Sequence, residues 1–260
     1  MNKQDLLRYA DRQLALFATQ KTIDGWLYYE DEHNPEKYSH HFLWIDRPGF
    51  TQKNLTSYLS LCQARSFVRF HVNEPSYFPH LPIPGYLEPK RNVLIWMVRR
   101  VFQPPFTIKP TSLTIKKVNV FDSTFFAWLK QSNLEYGEAY ATANANRIVE
   151  VSQKHQNFIH LLAINEGAII GQLTIYLWEK VAELDEFYVL DRHQGQGVGH
   201  QLYQSGMAML YQKGIKEVFL VTDPSQPAKL IYDHWGFLTV ASFEQIHYQR
   251  LEKAPHVSLL

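Results

Sequence analysis

The chain of 260 residues holds a single cysteine, Cys62. No internal disulfide can form, so packing alone has to stabilise the fold, and such sparing use of cysteine suits a reducing compartment. Long apolar runs are also missing. The longest, residues 93–98 within NVLIWMVRR, falls far short of the roughly 20 residues a membrane-crossing helix needs. Neither sign of charge dominates: 26 Lys and Arg stand against 25 Asp and Glu, and the basic residues are scattered, which leaves no electrostatic footprint for nucleic acid. The opening residues, MNKQDLLRYADRQ, lack the apolar core of a secretory signal. These absences predict a soluble, cytoplasmic protein with no nucleic-acid or membrane partner. Its many aromatics, Trp44, Trp96 and Trp178 among them, are expected to fill cores.

Length and proline placement predict two domains. Pro104, Pro105 and Pro110 in VFQPPFTIKPTSL remove backbone donors and block helix continuation, so a linker is expected at 104–112 between domains at 1–103 and 113–260. In the first half, GWLYYEDEHNPEKYSHHFLWI reads as two aromatic strands around a polar loop. FTQKNLTSYLSLCQAR follows as a helix with Leu55, Tyr58, Leu59 and Cys62 on one face, then SFVRFHV and NVLIWMV as strands. Cys62 is expected in the core. The pair His40 and His41, with His33 nearby, is read as surface histidine rather than a metal site, because neighbours on a strand point to opposite faces. No metal is expected.

The second half switches period cleanly. LTIKKVNV reads as a strand, DSTFFAWLKQS as a helix capped by Asp122, and YATANANRIVEVSQK as a second helix. A hairpin turning at Asn165, Glu166 and Gly167 comes next, then the acidic strand VAELDEFYVL. Residues 197–213 read as a helix, EVFLVT as a strand covered on both faces, QPAKLIYDHWGF as a short helix opening near Pro227, and FLTVASFEQIHYQRLE as a closing pair of strands. The unit formed by 183–190, 197–213 and 217–222 is a βαβ crossover.

At its first turn lies LDRHQGQGVGHQL, with Gly195, Gly197 and Gly199 at alternate positions. The bland reading of such a stretch is a flexible surface loop. The flanks argue for more: a helix following the first strand of a βαβ unit presents bare amides and its positive dipole end, a ready anion site, and glycines let a phosphate approach closely. A P-loop is excluded because no Lys-Ser/Thr follows, and the dinucleotide fingerprint fails because His200 occupies its last glycine place.

Read as Gln194-x-x-Gly197-x-Gly199, the segment resembles the acetyl-CoA signature of the GCN5-related N-acetyltransferase (GNAT) superfamily. AKLIYDHWGF is similar to the family's terminal segment, with Ala228, Tyr232, Gly236 and Phe237 in register, and the resemblance runs over about residues 113–252. It implies an α+β fold with a central, mostly antiparallel sheet that splays open beside 183–190, flanked by helices. It further implies acetyl-CoA as co-substrate. Its pyrophosphate would sit on the amides of Gln194, Gly195, Gln196, Gly197, Val198 and Gly199, and its pantetheine arm on the backbone of Phe187, Tyr188 and Val189. The family often carries Asn where Ser225 stands, so Ser225 or Thr222 is the expected substitute contact there.

For the chemistry, a protonated amine must lose a proton and a departing thiolate must gain one. Glu183, eleven residues before Gln194, resembles the family's catalytic glutamate, and strand alternation would place it on one face with Asp185, Phe187 and Val189, with Glu186 on the other. Against this stands the plainer reading of solvated strand carboxylates. Tyr232 matches the family's general acid; the plainer reading is a packed aromatic. The resulting expectation is direct acetyl transfer to a primary amine of a cationic small molecule or peptide, without a cysteine intermediate. The alternative is a non-catalytic acyl-CoA-binding sensor or assembly module. The first half, with helix, strand and Gly-aromatic order, is expected to be a degenerate copy of the same fold that shapes the acceptor pocket or a homodimer contact.

Overall fold

The computed structural model describes residues 1–35, 37–78, 82–102 and 113–251. The expected linker at 104–112 lies outside them. The chain opens with α1 (Lys3–Phe17), for which no element is expected from the sequence pattern; it forms a helix with Leu6 and Tyr9, three residues apart, buried on one side. Strand β1 (Thr19–Ile23), likewise unexpected, forms a hairpin with β2 (Trp26–Glu30), the first of the two expected aromatic strands. Its turn is Asp24-Gly25, both left-handed at φ 49° and 82°, the pair of conformations a tight hairpin needs. Then come β3 (Phe42–Ile45), α2 (Gln52–Leu61), β4 (Phe67–Val72) and β5 (Lys90–Arg100).

The second half continues with β6 (Thr114–Lys117), α3 (Ser123–Gln131), α4 (Glu138–Lys154), β7 (Phe158–Asn165), β8 (Ala168–Trp178) and β9 (Val181–Val189). It ends with α5 (Val198–Gln212), β10 (Glu217–Thr222), α6 (Ala228–His234) and β11 (Leu238–Gln249). Asp122 caps α3 as expected, accepting from the Phe125 amide at 2.9 Å. The expected closing pair of strands is one strand, β11, because no turn residue interrupts LTVASFEQIHYQ.

Contacts divide the chain into two compact units that do not follow the chain order. One combines Met1–Leu16 with Ile95–Ala241, and the other combines Phe17–Leu94 with the stretch from Ser242 on. In the first unit the sheet runs β6-β7-β8-β9-β10-β5, antiparallel except for the parallel pair β9 and β10. Leu202, Tyr203, Met207 and Leu210 of α5 bury against Leu173, Ile175, Ala182 and Leu184 on one face, while Phe125, Trp128 and Ile148 of α3 and α4 cover the other with Leu162. In the second unit the order is β1-β2-β3-β4-β11, with β3 and β4 parallel and Cys62 fully buried in its core. Trp44, Trp96 and Trp178 are all buried, as expected.

The histidine pair corrects the sequence reading. His40 and His41 are buried, not superficial, because they lie on and just after a short 3-10 turn (Tyr38–His40) rather than on a strand. His40 Nδ1 lies 2.9 Å from Asp31 Oδ2, and His41 Nε2 lies 2.9 Å from the Asn34 carbonyl oxygen. Burial pushes His40 down to about 4, so its ring packs uncharged against Phe17. Among the described residues no group of three or more His, Cys, Asp or Glu could hold a metal ion.

Candidate active site

The parallel pair β9 and β10 is bonded only at Glu217↔Val181, Val218↔Ala182 and Phe219↔Glu183. Beyond Glu183 the strands part. β10 keeps its antiparallel partner β5 as far as Thr222↔Ile95, whereas the last residues of β9 have only β8 beside them. Glu183 therefore stands at the fork of an opened sheet.

Past the fork β9 is bulged. Thr174 faces Asp185 and Gln172 faces Tyr188, so Glu186 and Phe187 together oppose Leu173, and Glu186 adopts φ 46°. One extra residue reverses the alternation. Ala182 and Leu184 point to the α5 face, and so do Phe187 and Val189; Tyr188 turns to the α3 face, its ring 6.1 Å from Trp128. The expectation that Glu183 shares a face with Phe187 and Val189 is thereby overturned. Glu183 and Asp185 lie on the opposite side of the sheet from the glycine turn.

On the α5 face the glycine turn borders a cleft of about 570 Å³ lined by Phe187, Val189, Gln194, Gly195, Gly197, Val198, Gly199 and Tyr232. Gly195 and Gly197 are left-handed at φ 71° and 82°, a conformation that side chains disfavour, and Gly197 starts α5 with no side-chain cap. The amides of residues 195–200 make no hydrogen bond among the described residues. Six bare donors with the positive end of a 15-residue helix behind them fit a pyrophosphate. Gln194 and Gln196 spend their side chains on the turn, donating to the Val189 and Arg192 carbonyls at 3.1 and 2.9 Å. Ser225 is an exposed turn residue whose amide and hydroxyl both donate to Asp223, and it does not line the cleft. Tyr188 and Glu183 do not line it either.

Tyr232 is pushed up to about 12 by burial and by the nearby charge of Asp185, so its hydroxyl keeps its proton across the neutral range. Glu183 is 4% exposed, and burial, reinforced by Asp185, raises its carboxyl well above the usual range; its Oε2 has no hydrogen-bond partner among the described residues. That shift has a sign for stability. The folded carboxyl holds its proton where the unfolded one, near 4.5, has released it, so the contribution is full below that value and is lost as pH rises through the folded pKa. The melting temperature is expected to fall as pH rises from about 4.5, and Glu183→Gln is expected to remove that part of the fall, as differential scanning calorimetry across a pH series would read.

Residues 121–237 match the model of the Acetyltransferase (GNAT) family. These residues form a GNAT-family acetyltransferase domain. The matched segment runs from just before α3 to Phe237 and so contains the fork, the glycine turn and Tyr232. Solved structures share the fold beyond the GNAT domain. A conserved protein of unknown function from Staphylococcus epidermidis is 18% identical with TM-score 0.68, over 92% of this chain and 97% of its own. A GCN5-related N-acetyltransferase from Kribbella flavida is 16% identical with TM-score 0.61, over 97% of both chains. A tandem GNAT protein of the clavulanic acid biosynthesis pathway is 13% identical with TM-score 0.59, over 88% of this chain and 79% of its own. Comparison with curated proteins gave no match. Among the described residues no helix is long and apolar enough to cross a membrane.

The GNAT domain's cleft also contains residues that the motif does not announce. Trp235, His193 and His200 line it. The Trp235 ring stacks on Tyr203 of α5 at 4.1 Å and 7°, and Arg99 of β5 bonds both the Tyr203 hydroxyl and the Trp235 carbonyl oxygen. The end of α6 that carries Tyr232 is thus pinned from a strand more than a hundred residues away in sequence.

Proposed function

We propose that the protein transfers the acetyl group of acetyl-CoA directly to a primary amine of a cationic acceptor. The observation that carries this is the uncapped glycine start of α5, opening on the same cleft as a protonated Tyr232 beside a forked strand pair. Acetyl-CoA would supply the activated acyl group. The amides from Gly195 to His200 would hold its pyrophosphate, and the backbone of Phe187, Tyr188 and Val189, released from β10 by the fork, would hold its pantetheine arm. Tyr232 would donate its proton to the departing thiolate. Glu183, at the fork on the other face, would take the proton of the attacking amine; its raised pKa makes it the stronger base once ionised.

The second unit supports the reading of a reduced copy of the same fold without a cofactor site. β3, α2 and the parallel β4 repeat the order of β9, α5 and β10, and β11 lies antiparallel to β4 as β5 lies antiparallel to β10. Two differences close it to a cofactor. Thr51 accepts from the Asn54 amide while Asn54 Oδ1 accepts from the Thr51 amide at 2.9 Å, so the start of α2 is capped by its own side chains. β3 also stays paired with β4 to its last residue, Ile45↔Val72, leaving no fork.

Calorimetric titration with acetyl-CoA, CoA and NADH tests the proposal. Both CoA species are expected to bind at one site per chain, and NADH is expected not to bind. Absence of CoA binding would remove both the cofactor and the reaction.

A further inference from the structure

We propose that the N-terminal helix α1 completes a site for a primary ammonium group, built from Glu183, Asp185, Tyr176 and Gln13 on the sheet face opposite the glycine cleft. The inference rests on the acetyltransferase reading and names where the acceptor's amine is held. α1 lies outside the family-matched residues 121–237, so the family's motif does not supply it.

Four contacts fix α1 over this face. The Met1 amine donates to Glu217 Oε1 at 3.0 Å, the Tyr9 ring lies 6.2 Å from Phe219, Arg12 pairs with Glu179 at 3.3 Å, and Gln13 Nε2 donates to Asp185 Oδ2 at 3.0 Å. Tyr9 and Gln13 are four residues apart and so share a side of the helix. The Gln13 amide also lies near enough to the Tyr176 hydroxyl to favour its ionised form slightly, and Tyr176 is paired directly across the sheet from Glu183. Glu183 and Asp185, two apart on the strand before the bulge, lie on this same face of the sheet.

Gln13 and Asp185 are half-buried, and Glu183 is buried beneath them in the sheet. Glu183 is electrostatically incomplete: its Oε2 has no hydrogen-bond partner among the described residues, and the charge of Asp185 acts on it as a like charge. A buried carboxylate left this way is costly unless a cation with N–H donors arrives. A primary ammonium brings three donors and one positive charge, which matches Glu183, Asp185 and the Tyr176 oxygen. Asp185 also acts on Tyr232, so the same carboxylate is felt from both sides of the opened strand pair. Gln13 is then a positioning residue: its amide holds Asp185 and touches neither cofactor nor leaving group.

The test is a nitrogen-15 NMR titration with n-butylammonium chloride, with n-butanol as the uncharged control and acetyl-CoA as a separate arm. Butylammonium is expected to shift the Gln13 side-chain amide and the backbone amides of residues 183–186. Butanol is expected to leave them in place. In Gln13→Leu the butylammonium dissociation constant is expected to weaken about tenfold, the effect of losing a hydrogen bond to a charged group, with acetyl-CoA still shifting residues 195–199. Asp185→Asn is expected to abolish the butylammonium shifts. Unmoved signals at 13 and 183–186, equal shifts with butanol, or wild-type affinity in Gln13→Leu would overturn the site. Failure of acetyl-CoA to shift residues 195–199 would instead count against the acetyltransferase reading, whatever butylammonium does.

Discussion

Replacing Gly197 by glutamate is expected to weaken CoA and acetyl-CoA binding by at least about a hundredfold, with the fold intact. Gly197 sits at φ 82°, so any side chain there costs about 1–2 kcal/mol of backbone strain. An added Cβ meets nothing within 4 Å, which means the new side chain enters open space at the helix start instead of the protein. Its carboxylate would bring negative charge to the donors meant for the pyrophosphate. Two like charges about 4 Å apart cost roughly 1 kcal/mol in water and about 4 kcal/mol at a protein surface, and the side chain would also occupy the site. For the free protein the same carboxylate complements the helix dipole and offsets part of the strain. Gly197→Ala separates the two effects: it carries the strain without the charge. Calorimetry on both variants decides. Equal losses would assign the effect to backbone strain, and no loss in either would mean the glycine turn does not hold the cofactor.

Tyr232→Phe is expected to lower kcat by about 10²- to 10⁴-fold, the range of a general acid, while leaving acetyl-CoA affinity unchanged. The ring is packed against Trp235 and Phe237, at 5.9 and 6.0 Å between centroids, and phenylalanine keeps that packing. Only the hydroxyl is lost. Because Tyr232 titrates at about 12, it stays protonated as pH rises, and wild-type kcat is expected to show no alkaline decline from this residue below that value. Loss of the hydroxyl removes the donor at every pH, so the variant's profile should be lower without being displaced. Steady-state thiol release at saturating acetyl-CoA, with binding measured separately, reads both quantities. Unchanged kcat would leave Tyr232 as packing; binding of acetyl-CoA without turnover in the wild type would favour a non-catalytic acyl-CoA module.

Much of the candidate site is legible along the chain because its signals are local. The Gly195, Gly197 and Gly199 spacing sits within one turn, the start of a helix sets where its own amides point, and Ala228, Tyr232, Gly236 and Phe237 lie within ten residues. The hairpin at Glu166-Gly167 and the Asp122 cap are equally local. The Asp24-Gly25 turn carries a comparable signal, and the β1–β2 hairpin was readable from it. Misreadings arise where a partner decides. His40 and His41 were expected at the surface because the strand pattern was extended over them, whereas burial follows from the Asp31 and Asn34 contacts of a folded loop.

By itself the sequence determined the order of strands and helices around the glycine turn, the bare amides of that turn and the tyrosine that accompanies it, since each depends on neighbours within a few residues. Tertiary structure alone decided which face Glu183 occupies, because the bulge at Glu186 exists only in the pairing of β9 with β8 and one extra residue reverses every side chain beyond it. It also decided that Gln13 meets Asp185, and that Arg99 pins Trp235, contacts spanning 172 and 136 residues. The raised pKa of Glu183 belongs to the same category: desolvation depends on what the fold packs around the carboxyl, and no spacing along a chain encodes it.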